Sequence, residues 1–245
     1  MDVGPDVLLL RSADEPDRYL EAFADAGLQA VCEPVLAFAF PNQQALTDAL
    51  EQHDRYGALI VTSPRAATAL ERAFDQHQNL RAVWENTIAY AVGPKTAGRL
   101  QKIGLQPRGE EAGNAEALSA RIVEEALNTH LLFLCGNRRR DTLPDRLRED
   151  AVAFEELVVY ETRLRRDLSL PAATQSSQST WLVFFSPSGL EAVEDVKSVS
   201  LSEYRIASIG PTTAGTLVEA GYDVEAVAEE PSPEALVTAI KNAEA

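Results

Sequence analysis

The segment Ala91-Val92-Gly93-Pro94-Lys95-Thr96-Ala97-Gly98 returns 117 residues later as Ser208-Ile209-Gly210-Pro211-Thr212-Thr213-Ala214-Gly215. The correspondence continues on both sides. Gly104 aligns with Gly221, Asn114-Ala115-Glu116-Ala117-Leu118 with Ser232-Pro233-Glu234-Ala235-Leu236, and Val61-Thr62-Ser63-Pro64 with Phe184-Phe185-Ser186-Pro187. Glu33 to Phe38 lines up in the same way with Glu155 to Tyr160. A chain of 245 residues with this repeat predicts two similar units of about 120 residues, an ordinary domain size.

Each unit alternates short apolar runs with amphipathic stretches. Val7–Leu10, Ala58–Val61, Ile88–Val92, Leu131–Leu134, Ala153–Tyr160, Trp181–Phe185 and Ile206–Ile209 have the length and composition of buried strands, and Ala30–Phe40 is strand-like. Helices are predicted over Asp14–Ala26, where Tyr19, Leu20 and Phe23 share a face and Gly27 stops the run, over Leu46–Gln52, from Ser63-Pro64 through Phe74, and from about Thr96 to Ile103. The Ser- and Gln-rich stretch Thr174–Thr180 reads as a loop. This alternation predicts α/β units whose parallel sheets are flanked by helices on both faces.

Charge and cysteine usage narrow the function. With 22 Lys and Arg against 38 Asp and Glu, the net charge is −16, which makes the chain a poor binder of nucleic acid or anionic membrane. The apolar run at Val7–Leu10 is too short for a signal peptide or a spanning helix, so a soluble, cytoplasmic protein is expected. Cys32 and Cys135 make neither a disulfide framework nor a cysteine zinc site and read as buried free thiols. His53, His77 and His130 lack metal-ligand spacing, and no cofactor is expected.

Two repeated turns could carry chemistry. Ser63-Pro64 and Ser186-Pro187 combine a preferred N-cap with a preferred first helical residue, and capping alone explains such a turn. At the carboxyl end of a strand, the same turn also exposes backbone N–H groups that bind anions. The sequence Gly-Pro-x-Thr-Ala-Gly, at 93–98 and 210–215, is neither a dinucleotide fingerprint nor a Walker loop. It places Thr96 and Thr213 at helix starts. Together these turns give four helix N-termini at strand carboxyl ends, each favouring an anion by ~0.3–1 kcal/mol. Tyr160, which closes an apolar strand, is either core packing or a neutral proton donor, because a phenol stays protonated at neutral pH. The basic cluster Arg138-Arg139-Arg140 is either a solvated helix start or a contact for substrate carboxylates.

Several of these segments resemble the uroporphyrinogen-III synthase family: Phe184-Phe185-Ser186-Pro187-Ser188-Gly189, Ala207 to Ala214, Val61 to Ala66, Gly113-Asn114-Ala115-Glu116 and Cys135-Gly136-Asn137. The resemblance runs from Leu9 to about Ile240. It implies two α/β domains joined by a two-strand connector, with the active-site cleft between them. One domain would hold residues 1–35 with 164–245 and the other 39–160, with connector strands at 36–38 and 161–163. It implies a cofactor-free lyase that closes hydroxymethylbilane, a linear tetrapyrrole, into uroporphyrinogen III with loss of water and inversion of the terminal ring. Tyr160 matches the family's tyrosine and would be the proton donor. Thr62, Ser63, Thr96, Ser186, Thr212 and Thr213 would bind the substrate's carboxylates. A monomer in passing contact with hydroxymethylbilane synthase is implied. The alternative is a two-lobed module that holds an anionic tetrapyrrole without catalysis. It is disfavoured by the presence of Tyr160.

Overall fold

The apolar runs become the inner strands of two separate sheets. The computed structural model describes residues 4–125, 129–168, 170, 180–195 and 201–244. The chain divides into unit 1, Met1–Ala37 with Arg163–Ala245, and unit 2, Phe38–Thr162. No helix among the described residues is long and apolar enough to cross a membrane.

Unit 1 begins with β1 (Val7–Leu10), α1 (Arg18–Asp25) and β2 (Ala30–Cys32). The chain then forms β3 (Leu36–Ala39), α2 (Gln43–Glu51), β4 (Tyr56–Val61), α3 (Pro64–Gln76), α4 (Gln78–Trp84), β5 (Ile88–Ala91), α5 (Pro94–Lys102) and β6 (Gln106–Arg108). It continues through α6 (Ala115–Glu124), β7 (His130–Gly136), α7 (Thr142–Glu149) and β8 (Phe154–Leu164). It returns to unit 1 for β9 (Trp181–Phe184), α8 (Pro187–Glu194), β10 (Arg205–Ser208), α9 (Pro211–Glu219), β11 (Ala226–Val227) and α10 (Pro233–Glu244).

The sheet of unit 2 runs β3-β8-β7-β4-β5-β6, and that of unit 1 runs β11-β10-β9-β1-β2. The pairs from β8 to β6 are parallel, as are all four in unit 1. The sequence repeat equates β4, β5 and β6 with β9, β10 and β11. The orders β6-β5-β4-β7-β8 and β11-β10-β9-β1-β2 are then one and the same. The first strand-helix-strand of the chain therefore fills, in unit 1, the place that β7, α7 and β8 fill in unit 2. The repeat is visible in the capping too: Asn114 accepts from Ala117 N–H at 2.9 Å, and Ser232, its counterpart, from Ala235 N–H at 3.2 Å.

In unit 2, helices α2 to α5 cover one sheet face, burying Leu46, Leu50, Leu70, Phe74, Trp84 and Leu100. Helices α6 and α7 cover the other with Leu118, Ile122, Leu143 and Leu147. Each fully buried aliphatic side chain stabilises by ~1.5–3 kcal/mol. The buried Trp84 satisfies its indole N–H on Leu50 O at 2.9 Å, and Trp181 of unit 1 satisfies its own on Glu244 Oε1 at 2.8 Å.

Several local expectations shift. The strand-like stretch Ala30–Phe40 is two strands, β2 and β3, in different sheets. Pro34, which has no N–H to donate to a ladder, stands at the break. Helix α1 starts at Arg18, not Asp14, because Asp17 is its cap and accepts from the N–H groups of Tyr19 and Leu20. Helix α2 starts at Gln43, three residues before the apolar signal, and α4, β6 and β11 gave no clear apolar signal of their own. The predicted loop 174–180 lies outside the described residues except for Thr180.

Candidate active site

Open α/β sheets bind ligands beyond the carboxyl ends of their strands, where the strand order reverses. In unit 2 the chain proceeds from β4 to β5 and β6 on one side, and from β7 to β8 on the other, so the reversal lies between β4 and β7. Thr62 and Ser63 follow β4. Asn137 and Arg138 to Arg140 follow β7. Thr96 lies beyond β5, and Tyr160 is in β8, two strand spacings, roughly 10 Å, from β4.

A β-bulge aims Tyr160. Cys135 pairs with Val158, but Gly136 pairs with Tyr160, leaving Val159 without an opposite residue. Up to that point the side chains alternate: Leu157 and Val159 enter the core under α2–α5, and Val158 enters the opposite one. Tyr160 stays on the α2–α5 side together with Val159. This is the side whose helices α3 and α5 begin at the same edge. The phenol oxygen makes no hydrogen bond to any described residue.

The helix N-termini at this edge are open. Ser63 caps α3 by accepting from Arg65 N–H at 3.2 Å, whereas α5 starts from Gly93 with no side-chain cap. Gly93 has φ +76°, a conformation that glycine alone adopts readily, while its counterpart Gly210 is extended. In unit 1, α8 and α9 also lack a side-chain cap to a backbone N–H, the Ser186 hydroxyl bonding Ser188 Oγ at 2.8 Å instead. Acidic residues favour first turns, and α1, α6, α7 and α10 each carry one. Helices α3, α5, α8 and α9 carry none, in a chain with 38 acids. Neither α2 nor α4, which also lack one, follows a central strand.

Thr62 and Ser63 are half-buried. Thr96 and Thr213 are 2% and 5% exposed at the third position of their helices, with hydroxyls that bond no described residue. Thr212 is exposed. The structure thus groups Thr62, Ser63, Thr96 and Tyr160 on the edge of unit 2, and Ser186, Thr212 and Thr213 on that of unit 1.

The basic cluster splits by role. Arg139 is held by Asp141 and Glu156, and Arg148 also binds Glu156. Arg138 and Arg140 are exposed and have no carboxylate partner among the described residues. Lys95 and Arg65, in the first turns of α5 and α3, also lack one, and Arg65 lies 3.5 Å over the Phe38 ring. Cations oppose the helix dipole at such positions. Sequence reading missed Arg65 and Lys95 because ion-pair partners are long-range facts.

In unit 1 the reversal lies between β1 and β9. Arg11 stands there, bonded to Asp17 at 2.9 Å and Asp14 at 2.7 Å, with its guanidinium 5.4 Å from the Phe185 ring. Cys32 is half-buried and Cys135 buried, both free, and burial pushes the Cys32 thiol up to about 11. Among the described residues, no group of three or more His, Cys, Asp or Glu could hold a metal ion.

Residues 17–238 match the family model described as uroporphyrinogen-III synthase HemD. The uroporphyrinogen-III synthase of Schizosaccharomyces pombe is 32% identical over 246 aligned residues, covering 95% of each chain. That of Saccharomyces cerevisiae is 29% identical over 205, covering 75% of this chain and 74% of its own. The crystal structure of uroporphyrinogen-III synthetase from Helicobacter pylori shares the fold, with a TM-score of 0.59 at 21% identity, covering 98% of this chain and 99% of that one.

Proposed function

The chain belongs to the uroporphyrinogen-III synthase family, and from that premise we propose how its residues divide the work. The activity is that of a lyase in tetrapyrrole biosynthesis, with a small-molecule tetrapyrrole as substrate. The substrate is hydroxymethylbilane. It loses water and closes to uroporphyrinogen III with its terminal ring inverted.

Tyr160 is the proton donor. Its phenol protonates the hydroxymethyl oxygen, the C–O bond breaks with its electron pair leaving on oxygen, and water departs from a cationic azafulvene. The substituted carbon of the terminal ring attacks that cation and forms a spiro C–C bond. The spiro intermediate opens and recloses with the ring turned over, and the proton released at the closing carbon restores the phenol. A positioned acid contributes ~10²–10⁴-fold, and holding the chain in a reactive fold contributes more. Unguided bilane closes without inversion to the type I isomer, so geometry decides the product.

Each pyrrole ring carries an acetate and a propionate. Thr62, Ser63 and Thr96, the open N–H groups of α3 and α5, and the unpaired Arg138 and Arg140 hold such carboxylates on unit 2. Ser186, Thr212 and Thr213 offer the same kind of contact on unit 1. The observation that supports this reading is one sheet edge that combines an unbonded phenol with helix N-termini free of acidic residues. The working form is a cytoplasmic monomer that takes the short-lived bilane from its synthase.

The test generates hydroxymethylbilane in place with its synthase and separates type I from type III uroporphyrin after oxidation. Tyr160→Phe should fold normally, slow type III formation at least tenfold and let type I accumulate. Unchanged turnover at matched thermal stability would sink the donor role.

A further inference from the structure

Gly136 and Asn137 have no chemistry of their own, yet both close on Tyr160. Gly136 stands directly opposite Tyr160 on the neighbouring strand. A Cβ at Gly136 would lie 2.7 Å from the phenol oxygen and 2.8 Å from Cε2 of Tyr160, and nearer still to Cζ. The hydroxyl end of the ring therefore lies against the glycine, in space that any other residue would fill. Asn137 fixes the other side of the bulge. Its backbone N–H donates to Tyr160 O at 3.2 Å. Its side chain accepts from Thr162 N–H at 2.9 Å, and its amide donates toward Thr162 O at 3.5 Å. The strand is thus gripped on the tyrosine and two residues beyond it. Cys135 adds a weak S–H contact to Leu157 O at 3.6 Å.

We infer that Gly136 and Asn137 are positioning residues that set where the Tyr160 phenol stands, Gly136 by leaving room for the ring and Asn137 by holding the bulged strand. The inference rests on Tyr160 being the donor only for its effect on turnover; the effect on the ring's position stands apart. Ordinary carbon contacts are ~3.5–4.0 Å, so a methyl at Gly136 must move the ring by about 1 Å. The side chain can swing aside, so the fold survives. A displacement of that size costs on the order of 10²-fold in rate.

Two readouts keep the parts distinct. Tyrosine labelled with ¹³C at Cζ gives a Tyr160 signal, assigned by its loss in Tyr160→Phe. Gly136→Ala should shift that signal while Ser63→Ala leaves it in place; an unmoved signal in Gly136→Ala overturns the inference whatever the activity. In the product assay, Gly136→Ala should lose about as much kcat/KM as Tyr160→Phe. The double variant should lose no more than Tyr160→Phe alone, because without the hydroxyl there is no donor left to misplace. Losses that multiply would show that Gly136 acts by another route and would overturn the link to turnover. Asn137→Asp, which keeps the acceptor for Thr162 N–H, should retain most activity that Asn137→Ala loses; equal losses would count against the Asn137 half. Full turnover in Tyr160→Phe would refute the donor reading alone, and the ring signal would still decide the inference.

Discussion

Replacing Thr96 or Thr213 by valine separates ligand binding from structure, because it should change the first and leave the second alone. Both residues are nearly fully buried in the first turn, and neither is the N-cap, which is Gly93 or Gly210. Thr→Val therefore costs no cap and leaves helix propensity almost unchanged. It also removes a hydroxyl that bonds no described residue. Among the described residues neither hydroxyl is a buried atom without a partner, so water reaches both and removing them should leave stability almost unchanged. At ~2–4 °C per kcal/mol for a chain of this size, Tm should stay within about 2 °C of the parent protein. In the complex, the same hydroxyl would donate to a carboxylate, a bond worth ~1.5–3 kcal/mol, so KM for hydroxymethylbilane should rise roughly tenfold to 150-fold. Thermal melts and initial rates of type III formation, measured on one preparation, give both numbers. An unchanged KM with an unchanged Tm would refute the contact and leave these threonines as packing. A clearly lowered Tm would refute the claim that the hydroxyls bond no protein group in the free protein.

Asp17→Ala removes the cap of α1 and leaves Arg11, whose side chain is 15% exposed, with the exposed Asp14 as its carboxylate partner. Breaking such a buried pair costs ~3–5 kcal/mol, so Tm should fall by roughly 6–20 °C, and a fall under 3 °C would count against the pair. Burial alone would raise the Asp17 carboxyl, but the N–H groups of Asp14 and Leu20 and the Arg11 guanidinium outweigh it and hold it below the usual range. Its contribution is therefore full above the unfolded-state pKa of about 3.9 and is lost as pH falls through the lower folded value, so acid unfolding below about pH 4 should be steeper than in Asp17→Asn. Arg138→Ala and Arg140→Ala should each raise KM by up to about fivefold at low salt and less at high salt, with Tm unchanged. A salt-independent KM would argue against carboxylate contact.

The alternation of the strands, the repeat and the order of the motifs were legible because they depend on local pattern: Val7–Leu10 or Trp181–Phe184 can hardly be anything but buried strands. Family membership followed from the same segments. The open helix N-termini were legible as turns, since Ser-Pro and Gly-Pro punctuate a strand-to-helix junction. Which of them lacked a cap was not, because the Ser63 and Ser186 hydroxyls differ only in the partner they find. The bulge at Val159 was hidden for the same reason, since Glu156 to Tyr160 reads as one strand. Only pairing with β7 shows that a residue is left over, and only the approach of the ring explains why a glycine closes β7.

The two units share a strand order but not their chemistry, and the difference follows from the reaction. Leu10 pairs with Phe184 as Leu134 pairs with Val61, so Arg11, Ser12 and Ala13 of unit 1 stand where unit 2 has Cys135, Gly136 and Asn137. Unit 1 therefore lacks the glycine gap and the asparagine clamp, and its one cation there is neutralised by Asp14 and Asp17. The residue that the sequence repeat aligns with Tyr160 is Phe38, a ring without a hydroxyl that itself lies in β3 of unit 2, so unit 1 holds no aligned phenol. What both units keep is the pair of acid-free helix N-termini, α3 with α5 and α8 with α9. A substrate with carboxylates on each of its rings can use such contacts many times over. It has one hydroxyl to lose, and one C–O bond breaks per turnover, so with Tyr160 as the proposed donor a single phenol suffices. A second donor at the Phe38 position would add no step to catalyse. Phe38→Tyr should accordingly leave kcat unchanged in the wild-type background and fail to rescue Tyr160→Phe. Rescue would show that a phenol works without the Gly136 gap and would undo the single-donor argument.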